Sequence, residues 1–187
     1  MTIFFLVLIL IALIVLIGTI LVFNRLVRLR NQARTAWADI DVQLTRRHDL
    51  VPQLVAAVQG YVGHERSVLE GVAALRAQAM ALKRNPELLG QVEAELQRGL
   101  GRLFALQEAY PDLKASGNFS QLQRDLVQVE ETLQYARRFY NGAVRDYNDA
   151  AQRFPNVLVA RGLGFRDAEF FQADEAQRGA VAVEMPK

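Results

Sequence analysis

The chain has 187 residues, with 22 Lys and Arg against 20 Asp and Glu, no cysteine and 51% hydrophobic residues. The lack of cysteine excludes a disulfide scaffold, thiolate zinc sites, iron–sulfur clusters and a thiol nucleophile. Much of the hydrophobic content lies between Met1 and Asn24, a stretch without a charged side chain, and the rest of the chain is long enough for one domain with a real core.

From Thr2 to Phe23 the sequence reads TIFFLVLILIALIVLIGTILVF. About 20 apolar residues suffice to cross the hydrocarbon core as a helix. A cleaved signal peptide would carry a basic start, a shorter apolar run and a small-residue cleavage site, none of which is present. Arg25, Arg28, Arg30 and Arg34 follow the span with no acidic residue among them, whereas only Met1 and Thr2 precede its apolar run. The positive-inside rule therefore predicts a single-pass protein of the inner membrane with its C-terminal part in the cytoplasm. The same four arginines can attract anionic headgroups. Without them, 18 basic and 20 acidic residues remain over 35–187, so the basic balance of the whole chain gives no reason to expect nucleic-acid binding.

Beyond the span, apolar residues recur at steps of three and four up to Phe154, with no period-two stretch long enough for a sheet. The prediction is an all-α domain. The first helix continues out of the membrane through Leu29, Ala33, Ala36, Ile40, Leu44, His48, Val51, Leu54, Val58 and Tyr61. Pro52 removes a backbone donor within it and predicts a kink there, or a restart with Asp49 as N-cap. A second helix is expected over 64–83. Asn85-Pro86-Glu87 then reads as an N-cap, a proline at the first helical position and an acid in the first turn of a third helix. That helix carries Leu89, Val92, Leu96, Leu100, Leu103, Leu106 and Tyr110. After a short polar loop over 112–117, a fourth helix from Asn118 shows the cleanest stripe: Phe119, Leu122, Leu126, Val129, Leu133, Ala136, Tyr140, Val144, Tyr147, Ala151 and Phe154.

Three segments result: an anchor helix over 1–23, a helical bundle over 24–154 and a mostly irregular tail over 155–187 with a short helix over 167–175. If the break at Asn85-Pro86 is a hairpin, the helices form an antiparallel, up-and-down four-helix bundle, and Phe165, Phe170 and Phe171 come back to the bilayer surface. If it is only a kink, three long helices leave the tail far from the membrane. The tail aromatics either pack on the bundle or contact a membrane or partner.

With these pieces in order, the chain resembles the LemA family of prokaryotic membrane proteins. The likeness is carried by LVRLRNQARTAWADIDVQLTRRHDLVPQLV (26–55), GYVGHE (60–65), AYPDLKASGNFSQLQRDL (109–126), ARRFYNGAVRDYND (136–149), FPNVLVARGLGF (154–165) and FF (170–171). It implies an anchored, antiparallel four-helix bundle. A similar branch belongs to proteins that build magnetosome membranes, which implies membrane organisation more than chemistry. The resemblance supplies no catalytic or ligand residues, and none is carried over.

The residues themselves offer few candidates for chemistry. His48 and His64 are the only histidines, short of the three or more ligands a metal site gathers. His48 falls in the apolar stripe, where a core histidine bonded to a partner such as Tyr140 or Asn141 is the simplest reading. Tyr140-Asn141 and Tyr147-Asn148 repeat at seven, which keeps both tyrosines on the core stripe and suggests polar groups satisfied in one helix alignment. Trp37 stands too far beyond Phe23 to mark the membrane boundary and is expected in core or subunit packing. No phosphate-binding loop, nucleophile elbow or kinase motif occurs.

The reading is a non-enzymatic, membrane-anchored scaffold or interaction module, with no cofactor and no metal. Its expected partners are the lipid bilayer, a second copy of itself and a further protein, but not nucleic acid. Apolar stripes through both Ile40 and Trp37 on the first helix suggest self-association. The alternative is a ligand-responsive membrane sensor with a pocket lined by His48, Tyr140 and Tyr147.

Overall fold

The computed structural model describes residues 1–82 and 85–171, with the side chain of Glu87 excepted. All regular structure among them is helical: α1 (Thr2–Gln59), α2 (Arg66–Ala81), α3 (Pro86–Ala105), a 3-10 turn (Leu106–Glu108), α4 (Pro111–Ala115), α5 (Gly117–Gln152) and α6 (Asn156–Gly162). Helix α1 passes through Pro52 without interruption, so Asp49 caps no new helix. Its apolar start has an 18-residue window with no buried residue and is long enough to cross a membrane.

The start of α3 follows local sequence chemistry. Asn85 lies outside the helix with extended backbone, and its side-chain oxygen accepts from the Leu88 N–H at 3.0 Å, with Pro86 in the first turn, where its missing donor costs nothing. Tyr110-Pro111 opens the short helix α4 in a stretch the sequence pattern assigns to a loop. The tail differs as well. Its helix is α6, immediately after Pro155, while residues 165–171 run without regular structure. The remainder of the expected 167–175 helix lies outside the described residues.

The chain divides into two compact units. One comprises Asp41–Tyr135 with Phe170–Lys187. Its core draws Val51, Leu54 and Val58 from α1, Leu69 and Val72 from α2, Leu96, Leu100 and Leu103 from α3, Leu113 from α4, and Phe119, Leu122 and Leu126 from α5. Those positions follow from the three-and-four spacing of an amphipathic helix, except Leu113 and Leu69, the latter buried where the stripe through Val72 and Leu75 points to Val68. Gly99 lets α2 and α3 approach closely, since a Cβ there would stand 3.2 Å from the Val72 side chain.

The other unit comprises Met1–Ile40 with Ala136–Glu169. Leu26 shares a small core with Ala150, Ala151 and Ala160, flanked by Val22, Leu29 and Phe165. Further along α1, Trp37 meets the ring of Tyr140 at 5.2 Å between centroids. Later residues of α1 thus meet earlier residues of α5 within this unit. Alanines at 150, 151 and 160 permit the close approach that α1 makes there. Phe154, the last residue of the predicted stripe, is not in the core: α5 ends at Gln152, and the turn that follows leaves its ring 80% exposed.

Candidate functional site

The interior of the unit built from Asp41–Tyr135 contains charge. On α1, Arg47 and His48 follow Leu44 by three and four residues and therefore occupy its buried face. On α3, Glu93 stands one turn after Leu89 and one turn before Leu96, in the middle of that helix's buried stripe. The Glu93 carboxylate accepts from Arg47 Nη1 at 3.1 Å and lies 2.6 Å from His48 Nε2. Arg47 Nη1 also reaches Oε2 of Glu130, on α5, at 3.4 Å. From α2, Arg76 donates its Nε–H to the backbone carbonyl of His48 at 2.6 Å. Two guanidinium groups, two carboxylates and one histidine from four helices are thus linked, with Glu93 the group that meets the imidazole.

Burial decides what this cluster can do. Arg47, His48 and Glu93 are 2%, 3% and 0% exposed. Ionised groups sealed from water are tolerated only where they are paired and hydrogen-bonded, and here each carboxylate oxygen of Glu93 has its own donor. Nδ1 of His48 is buried without a hydrogen-bond partner among the described residues. Among the described residues no set of three or more His, Cys, Asp or Glu side chains is arranged to hold a metal ion. The arrangement fixes how helices meet. The sequence reading places His48 in the core and names Tyr140 or Asn141 as its partner; the partner is Glu93, an acid hidden among leucines at helical spacing. That spacing was the available signal for Glu93. Arg46 and Asp49, beside the buried pair, are exposed, as is His64.

The second polar group belongs to the unit containing the apolar helix start. Tyr140 Oη donates to the Glu169 carbonyl at 2.7 Å and Tyr147 Oη to the Arg166 carbonyl at 2.8 Å. Asn148 makes two bonds to Ala168: its amide donates to the carbonyl at 2.9 Å, and its oxygen accepts from the N–H at 2.8 Å. Gln152 donates to Asp167 at 2.9 Å. The seven-residue repeat therefore holds the irregular segment 166–169 along α5, supplying backbone partners that the segment lacks within itself. Burial, reinforced by the nearby negative charge of Glu169, pushes the Tyr140 hydroxyl up to about 12. Burial also raises that of Tyr147, with Asp167 adding to the rise and Arg30 and Arg34 opposing it. Asn141 is half-buried. His48 bonds instead within the other unit, so the three residues considered for a sensor pocket have separate uses.

This segment also places the remaining residues singled out from sequence. Phe165 packs edge-on against Phe23, the last residue of the uncharged stretch, at 5.7 Å between centroids. The Arg30 guanidinium lies 5.0 Å above the Phe165 ring, a cation–π contact. Arg25, Arg28 and Arg34 are exposed. Phe171 is buried, while Phe170 is 44% exposed.

Long amphipathic helices, an exposed apolar helix able to span a bilayer and polar groups spent on holding helices in place define a membrane-associated helical protein. The LemA family model matches residues 36–185, and the chain belongs to the LemA family. The match begins beyond the apolar stretch, so it rests on the helical part and not on hydrophobic composition. Among relatives, "Magnetosome protein MamQ 2" of Paramagnetospirillum magneticum is 23% identical over 186 residues, covering 86% of this chain and 68% of that protein. "Magnetosome protein MamQ" of Magnetospirillum gryphiswaldense is 21% identical over 179 residues, with 82% and 66% covered. "Protein LemA" of Metamycoplasma hominis is 25% identical over 155 residues, with 83% and 71% covered.

Proposed function

We propose that this chain is a non-enzymatic scaffold or interaction protein, held in the inner membrane by one pass of α1, with its helical part in the cytoplasm. In this reading the unit around the charged cluster is an up-and-down four-helix bundle that associates with further copies of itself. The observation that carries the proposal is exposed apolar surface outside the anchor: Val42 is 62% exposed on α1, and Val127 and Tyr135 are 50% and 67% exposed on α5. Exposed apolar side chains on two helices of one module are candidate association surfaces. The orientation is supported by the arginines that follow the apolar stretch. Membership of a family that includes magnetosome-named relatives is consistent with a part in organising membranes.

The test is the mass of the full-length protein in mild detergent at micromolar concentration. An oligomer that Tyr135→Glu dissociates supports the scaffold; a strict monomer at every concentration removes it. Orientation is read separately from Gln78→Cys, an exposed α2 site in a chain with no native cysteine. Thiol labelling only after cells are permeabilised is expected. Labelling of intact cells would move the module outside.

A further inference from the structure

The geometry points to a second membrane contact: α6 and the turns on either side of it lie on the bilayer surface, with Phe154, Leu158 and Leu163 entering the headgroup region. This inference rests on α1 being a membrane anchor.

Four observations converge. First, the site is level with the end of the span. In the unit formed by Met1–Ile40 and Ala136–Glu169, contacts progress from Trp37 with Tyr140 to Leu26 with Ala150 and Ala151. Continuing past Ala151 therefore moves toward the apolar end of α1. Phe165, just beyond α6, touches Phe23 itself. Second, α6 has a sharp division of faces. Asn156 and Ala160 point inward, with the Asn156 amide donating to the Ala150 carbonyl at 2.9 Å. Phe154, Leu158 and Leu163 point outward at 80%, 65% and 55% exposure. A short element that buries an asparagine and exposes a phenylalanine and two leucines is inverted for water, and correctly sided for an interface with lipid.

Third, basic side chains flank the patch, with Arg153 paired to Asp149 at 2.7 Å and Arg161 and Arg166 on the far side. Between Ala150 and Arg166 there are three basic residues, Arg153, Arg161 and Arg166, and no acidic one. All three are exposed. Arginines flanking an apolar patch suit anionic headgroup phosphates, as do Arg25 and Arg28 on α1. Fourth, an open recess of about 530 Å³ lies beside α6 and is lined by Val157, Ala160 and Phe165, by Arg161 and Arg166, and by Asp167, which Gln152 holds. Two guanidinium groups against one carboxylate leave it net positive, a seat for a lipid headgroup. The apolar surface is thus continuous with the apolar end of α1 and bordered by Arg161 and Arg166, which favours an anionic lipid surface as its occupant. The polar ladder from Tyr140 to Gln152 gains a purpose as well, since it ties the chain leaving α6 back onto α5 and holds α6 at this level.

The test uses full-length protein in vesicles of phosphatidylcholine and phosphatidylglycerol, carrying an environment-sensitive dye on Leu158→Cys. Matching proteins carry it on Phe154→Cys, on Leu13→Cys in the apolar stretch and on Gln78→Cys in α2. Quenchers attached to lipid near the headgroup, or deep in the acyl chains, report contact and depth. Positions 154 and 158 are expected to quench strongly with the shallow quencher, position 13 with the deep one and position 78 with neither. Raising the phosphatidylglycerol fraction should increase quenching at 158. If 13 quenches while 154 and 158 do not, the anchor stands and the α6 contact is overturned. If 13 is not quenched, the anchor itself fails and this inference fails with it. A blue-shifted but unquenched dye at 154 and 158 would mean that protein covers α6, which also overturns the lipid assignment.

Discussion

Glu93 holds the interior together, and removing it tests the account of the charged cluster most directly. In Glu93→Leu the guanidinium of Arg47, only 2% exposed, loses a carboxylate at 3.1 Å, and His48 loses its acceptor at 2.6 Å. Breaking a buried pair by deleting one partner costs about 3 to 5 kcal/mol, because the surviving charge cannot reach water. Glu130 still stands 3.4 Å from Arg47 and is itself 19% exposed, which offsets part of the loss. The expected cost is therefore near the lower end, about 3 kcal/mol. For a chain of this size, about 1 kcal/mol moves the midpoint by roughly 2 to 4 °C, so a fall of roughly 6 to 12 °C is expected. Thermal unfolding of the detergent-solubilised chain, followed by helical circular dichroism, reads it. Glu93→Gln keeps an acceptor and should fall in between. In Arg47→Met with Glu93→Leu, both charges of the pair are gone, and stability should recover well above that of Glu93→Leu alone. A Glu93→Leu midpoint within roughly 2 °C of wild type, about 1 kcal/mol or less, would refute the reasoning.

Two further outcomes follow from the ladder on α5. Tyr140 has its hydroxyl raised from 10.0 to about 12, so the folded state holds this proton more tightly than the unfolded chain does. The associated stability is fully present below pH 10 and is lost between 10 and 12, on the order of 2 to 3 kcal/mol. Over that range wild type should lose stability more steeply than Tyr140→Phe, as measured by denaturant midpoints; parallel curves would contradict the shift. Asn148→Ala removes both bonds to Ala168. About 1 to 3 kcal/mol of local stability should disappear, seen as hydrogen exchange at the Ala168 amide faster by roughly fivefold or more. Exchange in α2 and α3 should stay unchanged, and unaltered exchange at Ala168 would sink the idea that Asn148 clamps the segment.

Much of the helical pattern was legible because burial and period are the same information. The stripe from Phe119 to Ala151 is buried at each position the spacing selects, and so is the run from Ala33 to Val58 on α1. The Asn85 cap was legible for a local reason: cap, proline and first turn are neighbours in sequence. For Glu93 the spacing from Leu89 to Leu96 marked its place on the buried stripe, but its partners were hidden, because Arg47 and His48 are brought beside it by another helix. The destination of the tyrosine repeat was hidden in the same way. Spacing by seven placed the hydroxyls on the inner face, but their acceptors are carbonyls in a segment with no periodic signature. Helix α6 escaped notice because an interfacial surface reverses the usual pattern, leaving Leu158 outside and Asn156 inside.

The two polar groups solve related physical problems. A core of leucine, valine and alanine is weakly selective for register, since sliding one helix by a turn of about 5.4 Å exchanges similar side chains for one another. A buried guanidinium cannot slide in this way. Displaced by a turn, Arg47 would leave Glu93 facing hydrocarbon, and the penalty for an unpaired buried charge would select the correct alignment. The segment 166–169 poses the complementary difficulty. Without helix or strand, its N–H and carbonyl groups need partners from elsewhere, and Tyr140, Tyr147 and Asn148 supply them at one fixed height on α5. In both places the polar side chains fix position. That use of buried polarity is what a membrane-anchored module requires if it is to present a defined surface to the bilayer and to other copies of itself.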